Sequence, residues 1–219
     1  MDAVENILKR NKTCAVIIEY IQGVGGLDES TTEFYSGLEK LCKQYDTVLI
    51  ADEVQSGFGR TGDFFAFQKH NITPDIISIA KGMGNGFPVG GILIHPSIKA
   101  SFGLLGTTFG GNHLACAATL SVLDVIKDQN LMQNASEISD YFLEKAKTLP
   151  NLKTIKGRGL MLGLEFNFPI SELRKQLIFK HHMFTGGAKN PNLIRILPPL
   201  TIQKKHIDCF FDALNKELT

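Results

Sequence analysis

Apolar residues along this chain follow two rhythms, and the change falls near residue 112. Before it, short β-branched runs recur at Ala15–Tyr20, Thr47–Ala51, Asp75–Ala80 and Val89–Ile94. Continuous apolar runs of this length predict buried strands of a parallel sheet rather than half-exposed ones. Helical stretches lie between them. One covers Val4 to Lys12. A second starts at Ser30, which with Glu33 forms a capping-box signature, and runs to about Tyr45. A short one covers Phe64 to His70. Glycine-dense segments at 22–26, 57–62 and 82–86 are loops, because glycine at that density stops both helix and strand. Strands and helices alternating in this way predict βαβ units and a mainly parallel sheet.

After Asn112 the pattern is mixed. His113 to Lys127 and Leu131 to Leu149 are long helical stretches. Lys153–Ile155 and Leu160–Phe166 predict hairpin strands around Gly157-Arg158-Gly159. Ser171 to His182 is a helix, Leu193–Leu197 a strand closed by Pro198-Pro199, and Thr201 caps a last helix to Leu218. The chain therefore divides into residues 1–128, part of a large α/β domain including its connecting helix, and residues 129–219, a small C-terminal α+β domain. No internal repeat or low-complexity tract interrupts it.

Composition narrows the class little but excludes much. With 219 residues, 43% of them apolar, 21% charged and a net charge of +1, the chain reads as an ordinary soluble protein. It has neither the basic bias of a nucleic-acid partner nor an apolar run long enough for a bilayer. Residues 1–5 lack the features of a signal peptide, so a cytoplasmic location is expected. Cys14, Cys42, Cys116 and Cys209 are far apart, form no CxxC pair, and are expected as reduced thiols. No metal site is expected: His181 and His182 are adjacent and would not share a helix face.

The candidate chemistry sits at strand ends. Asp52 follows the run Thr47–Ala51, and Lys81 follows Asp75–Ala80. In open α/β sheets ligands bind at the carboxyl ends of the strands. A carboxylate and an amine delivered there, with glycines beside the amine, suit pyridoxal phosphate held as a lysine Schiff base with an acid facing the pyridinium nitrogen. Gln55, three residues past Asp52, could hydrogen-bond the ring hydroxyl. Gly106-Thr107-Thr108-Phe109-Gly110-Gly111-Asn112 offers hydroxyls and backbone N–H groups ahead of a helix, a candidate anion cradle. Arg195, among apolar neighbours, is a candidate clamp for a carboxylate. Each has a plainer reading. Taken alone, Lys81 reads more readily as an exposed strand end, Asp52 as a cap, Gln55 as a loop amide and Arg195 as the solvent side of an edge strand. The loop 82–86 lacks the spacing of a dinucleotide fingerprint.

Six segments decide between these readings: 19–26 (EYIQGVGG), 52–62 (DEVQSGFGRTG), 74–91 (PDIISIAKGMGNGFPVGG), 106–112 (GTTFGGN), 157–163 (GRGLMLG) and 195–200 (RILPPL). In order and spacing the chain resembles the class III pyridoxal-phosphate-dependent aminotransferases of fold type I, and within them the acetylornithine and succinylornithine branch. The resemblance implies that Lys81 carries the cofactor and moves the proton, that Asp52 pairs with the ring nitrogen and that Gln55 bonds the ring oxygen. It further implies that Thr108, with Thr107, reaches the cofactor phosphate of a partner subunit in a homodimer, and that Arg195 holds the α-carboxylate of the amino-acid or 2-oxo-acid substrate. The implied reaction moves the terminal amine of N-acetylornithine or N-succinylornithine to 2-oxoglutarate, in arginine biosynthesis. Another class III activity (ornithine, 4-aminobutyrate or diamine transamination) and a non-catalytic fragment are the alternatives.

Two departures stand out. The family motif Glu-Pro-Ile-Gln-Gly-Glu has Tyr20 in place of its Pro and Val24 in place of its second Glu. In ornithine aminotransferases the resemblance assigns that Glu to pairing with the carboxylate-binding arginine in one half-reaction. An N-acylated ornithine has no free α-ammonium, so an acid there is less needed. The chain also has about half the family's length. What the family carries ahead of this region supplies the main phosphate loop and the aromatic that stacks on the ring. The 219 residues alone are therefore expected to bind the cofactor weakly or not at all and to be inactive.

Overall fold

A computed structural model describes residues 1–10, 13–99, 101–104 and 106–218. The chain forms two compact units. The first comprises Met1–Tyr20, Ser30–Phe58 and Phe65–Gln129, and the second Ile21–Glu29, Gly59–Phe64 and Asn130–Thr219.

The first unit is built on strands β1 (Ala15–Ile18), β2 (Val48–Asp52), β3 (Ile76–Ile79) and β4 (Gly91–Ile94), in that spatial order. The first three are parallel, and β4 returns antiparallel to β3 with Ile79 opposite Gly91. Helix α1 (Asp2–Arg10) packs on α2 (Thr32–Gln44), and α2 packs on β2. The expected end of α1 at Lys12 lies outside the described residues. The cap of α2 is Thr31, not Ser30: Thr31 Oγ1 accepts from the Phe34 N–H, while the Ser30 N–H donates to the Tyr35 hydroxyl at 2.9 Å. The Tyr35 hydroxyl donates in turn to the Tyr20 carbonyl at 2.7 Å.

Tyr20 explains the first motif departure. It is almost fully buried, with its ring centroid 4.6 Å from Tyr35 and 6.0 Å from both Phe67 and His70. Thr32 Oγ1 and His70 Nδ1, 2.8 Å apart, tie the cluster to the start of α2. Aromatic pairs at such separations add to the energy of burial. Burial, reinforced by nearby Glu53, pushes the Tyr20 phenol well above its usual range. A proline at position 20 would supply none of these contacts. Helix α3 (His113–Asp128) completes the unit, capped by Asn112, whose side chain accepts from the Ala115 N–H.

The second unit is an antiparallel sheet under three helices. Its strands are β5 (Leu152–Arg158), β6 (Met161–Phe166), β7 (Gly186–Gly187) and β8 (Leu193–Ile196), ordered β5-β6-β8-β7. Helices α4 (Leu131–Ala146), α5 (Ser171–His181) and α6 (Lys204–Leu218) bury Leu162, Leu164, Phe166, Ile194 and Ile196 from one face, together with Phe142, Leu177 and Phe211. Segment 21–29 covers the other face: Ile21 and Leu27 pack on Met161, with Leu197 beside them. This is why β6 is buried at all six positions instead of alternately. Glu165, itself buried, takes the Lys153 ammonium at 2.7 Å and that of Lys156 at 3.3 Å, which hold its carboxyl below the usual range.

The hairpin between β5 and β6 needs glycine at 159. Its φ is +58°, and a Cβ there would lie 2.4 Å from the Thr61 carbonyl carbon. Arg158 donates to the Thr61 carbonyl and pairs with Asp63 and Glu29, so both early segments are fastened to this turn. Helix α6 begins at Lys204, with the Gln203 carbonyl accepting from His206 and Ile207. Thr201 therefore sits too early to cap it. The four cysteines are unpaired: Cys42 is buried and the others are exposed. Among the described residues no group of side chains could hold a metal ion, and no helix is long and apolar enough to cross a membrane.

Candidate active site

Strand β2 ends on Asp52, directly opposite Ser78 of β3. The Ser78 hydroxyl donates to Asp52 Oδ1 at 3.2 Å, and the Val54 N–H donates to the same oxygen at 3.0 Å. The carboxylate is half-buried, and Oδ2 has no hydrogen-bond donor among the described residues. One oxygen is thus fixed while the other is left to accept.

Three residues past Ser78 the chain turns at Lys81. A single 3₁₀ turn runs from Lys81 to Met83, and Lys81 has φ +45°. A non-glycine residue in that region carries backbone strain, which is concentrated at functional positions. The side chain is exposed, and its amine forms no ion pair or hydrogen bond among the described residues. Gly82 lies against Phe58 and the Gly57 carbonyl, which sets the loop after Asp52 beside the lysine turn. Gly84 is required by a close approach: a Cβ there would stand 2.4 Å from the Phe87 carbonyl oxygen. Gln55, half-buried, makes no side-chain hydrogen bond among the described residues. The sheet therefore brings Asp52, Gln55 and Lys81 to one end, each with unused bonding capacity.

Glu53, next to Asp52, has a different task that no motif assigns. Strand alternation turns it away from Asp52 and into the protein, where it is 1% exposed. It accepts from the Ser56 hydroxyl at 2.6 Å and from the Ala66 and Phe67 N–H groups, each at 3.0 Å. It thereby ties the loop that carries Gln55 to the 3₁₀ turn Ala66–His70. The adjacent Asp-Glu pair at a strand end is the signal that could have found it: of two successive acids there, one must face inward.

Thr107 and Thr108 are exposed, and no hydrogen bond joins them to Asp52, Gln55 or Lys81. Arg195 lies in β8 of the second unit, opposite Gly163 on one side and Gly186 on the other. Its Nε donates to the Gly187 carbonyl, while Nη1 is buried with no hydrogen-bond partner. No acid pairs with Arg195 among the described residues. A buried donor left unpaired is costly, so Nη1 keeps the capacity to take an anion, as does Arg174 Nε elsewhere in this unit.

In the first unit the amine, acid and amide fit pyridoxal phosphate; in the second, Arg195 by itself fits a carboxylate. The amine is unpaired, the acid has one free oxygen, the amide is unspent, and the arginine lacks an anion. The chain belongs to the class-III aminotransferase family, whose model matches residues 1–218. The family's enzymes are pyridoxal-phosphate-dependent transaminases, and the fold is that of this class. Acetylornithine aminotransferase of Aquifex aeolicus is 44% identical over 225 residues, covering 100% of this chain and 57% of the relative. The Methanocaldococcus jannaschii acetylornithine aminotransferase is 38% identical, over 95% of this chain and 54% of its own length. Among solved structures, an ornithine aminotransferase from Plasmodium yoelii superposes with a TM-score of 0.90 at 30% identity, over 99% of this chain and 60% of that one. The chain thus spans about half the length of the curated relatives it matches.

Proposed function

We propose that this chain is part of an aminotransferase that moves the terminal amine of N-acetylornithine, or of N-succinylornithine, to 2-oxoglutarate, giving the semialdehyde and glutamate in cytoplasmic arginine biosynthesis. The observation that carries the reading is the amine of Lys81, without a partner among the described residues, at the sheet end shared with Asp52 and Gln55. The two acetylornithine aminotransferases above support the choice of substrate.

When bound, the cofactor supplies an electron sink for the bonding pair released at the substrate carbon. Lys81 would hold the cofactor covalently at rest, and its Nζ, once the substrate amine has displaced it, would take the proton from the carbon that bears that amine. Asp52 would offer its free oxygen to the ring nitrogen and keep it protonated, Gln55 would donate to the ring oxygen, and Arg195 Nη1 would receive the substrate carboxylate. Thr107 and Thr108 serve the phosphate of a second copy, and the exposed Phe102, Leu104, Phe109, Leu114 and Leu120 beside them support a homodimer.

Val24 bears on the choice between acylated and free ornithine. Its carbonyl accepts from the Lys189 N–H at 2.9 Å, while its side chain is exposed and can hold no charge beside a free α-ammonium. The intact enzyme should therefore use N-acetylornithine in preference to ornithine, with parallel double-reciprocal lines against 2-oxoglutarate. Intersecting lines would remove the double-displacement reading. Val24→Glu should shift relative efficiency toward free ornithine by about tenfold, the scale of one well-placed charge. An unchanged ratio would count against the role of position 24.

A further inference from the structure

Arg60 is a cation spent on neutral groups. Its Nη1 donates to the carbonyl of Leu160, at 3.2 Å, and to that of Pro198, while its own carbonyl accepts from the Leu160 N–H at 2.9 Å. No acid pairs with it among the described residues, and burial pulls its guanidinium below the usual range. A half-buried cation without an anion is a poor way to gain stability, and apolar side chains often do as well or better in such places. What Arg60 holds is therefore more informative than how strongly it holds it. Leu160 is the residue ahead of β6, and Pro198 lies two residues past β8. These two strands pair with Leu162 opposite Ile196 and Gly163 opposite Arg195. Pro198 has no N–H, so the sheet ladder cannot continue through it to fix the strand end. The guanidinium takes over that task and bolts the end of β8 to the start of β6.

Arg195 lies three residues before the bolted carbonyl. Its Nε is already committed to Gly187, which leaves the position of Nη1 dependent on where β8 lies. We infer that Arg60 is a positioning residue for Arg195, setting the place at which the substrate carboxylate is received. This rests on the proposed role of Arg195.

The test uses the intact, cofactor-loaded enzyme with Arg60→Met, Arg60→Lys and, as reference, Arg195→Met. Two readouts are compared: the dissociation constant of glutarate, an unreactive dicarboxylate, and the first half-reaction with an alkylamine that has no carboxylate. Arg195→Met should weaken glutarate about 100-fold and Arg60→Met about tenfold, the range for losing a hydrogen-bonded charge and for displacing one. Arg60→Lys, which keeps a donor for one carbonyl, should recover part of the loss. The alkylamine rate should stay within about twofold in both Arg60 variants, because it does not use the carboxylate clamp. Equal losses for glutarate and alkylamine would overturn the inference and make Arg60 a general fastener. Unchanged glutarate binding in Arg60→Met alone would overturn it while leaving Arg195 in place. Unchanged binding in Arg195→Met would overturn the role of Arg195 first, and that of Arg60 with it. If Arg60→Met fails to fold, Arg60→Lys carries the same comparison.

Discussion

Lys81→Ala should lower the transamination rate of the intact enzyme by about four orders of magnitude or more, because one side chain both holds the cofactor and transfers the proton. The same substitution should leave stability nearly unchanged. The lysine is exposed, and its amine has no partner among the described residues to lose. Lys81→Gly should even gain about 1 kcal/mol, since φ +45° costs a side-chain-bearing residue roughly that much and costs glycine nothing. Loss of activity with retained or increased stability is the signature of a group kept for chemistry. A second readout is independent of turnover. After incubation with pyridoxal phosphate and borohydride reduction, peptide mapping should find the adduct at Lys81 in the parent protein and not in Lys81→Ala. Labelling scattered over other lysines, and unaltered by the substitution, would refute the assignment.

How far the sequence could be read depended on how local each cause is. Strand ends and glycine loops are local. The run into Asp52 and the run into Lys81 are each legible in six residues, and the structure places both residues at the end of one sheet. Helix starts are nearly local, and they failed by a residue or two. Thr31 and not Ser30 caps α2, one residue later than the capping-box signature places it. Strand direction is not local at all, and nothing in Val89–Ile94 says that β4 runs against β3. Strand β7 is two glycines long and carries no side-chain pattern. Residues 21–29 and 59–64 join residues 130–219 through Leu27 on Met161 and Arg158 on Asp63, contacts nearly 100 residues or more apart. The site shows the same division. Asp52 and Arg195 stand on strands, and Gln55 and Lys81 in the turns that follow strands, so each can be picked out as a candidate from a short stretch of sequence. The partners that make Glu53 and Arg60 matter lie 13 and 138 residues away, and motif reading treats such residues as filler between the named ones.

Glu53 therefore offers the sharper test of the scaffold. Glu53→Ala removes the acceptor of the Ser56 hydroxyl and of the Ala66 and Phe67 N–H groups, in a place where water has little access. Breaking a buried charged hydrogen-bond network by deleting one member costs about 3–5 kcal/mol, and each orphaned donor keeps its desolvation penalty. That is a large part of the total stability of a domain. Glu53→Gln keeps the shape and one acceptor oxygen, so its cost should fall between, near about 2 kcal/mol. Chemical unfolding followed by far-ultraviolet circular dichroism measures both, since the chain has no tryptophan. The same loop carries Gln55 and abuts Gly82, so the cofactor affinity of the intact enzyme should fall in the order parent, Gln, Ala. If Glu53→Ala stays within about 1 kcal/mol of the parent, the carboxylate is not what closes this loop. If stability falls as expected but cofactor affinity does not, then Gln55 keeps its place without Glu53, and the acid serves the fold alone.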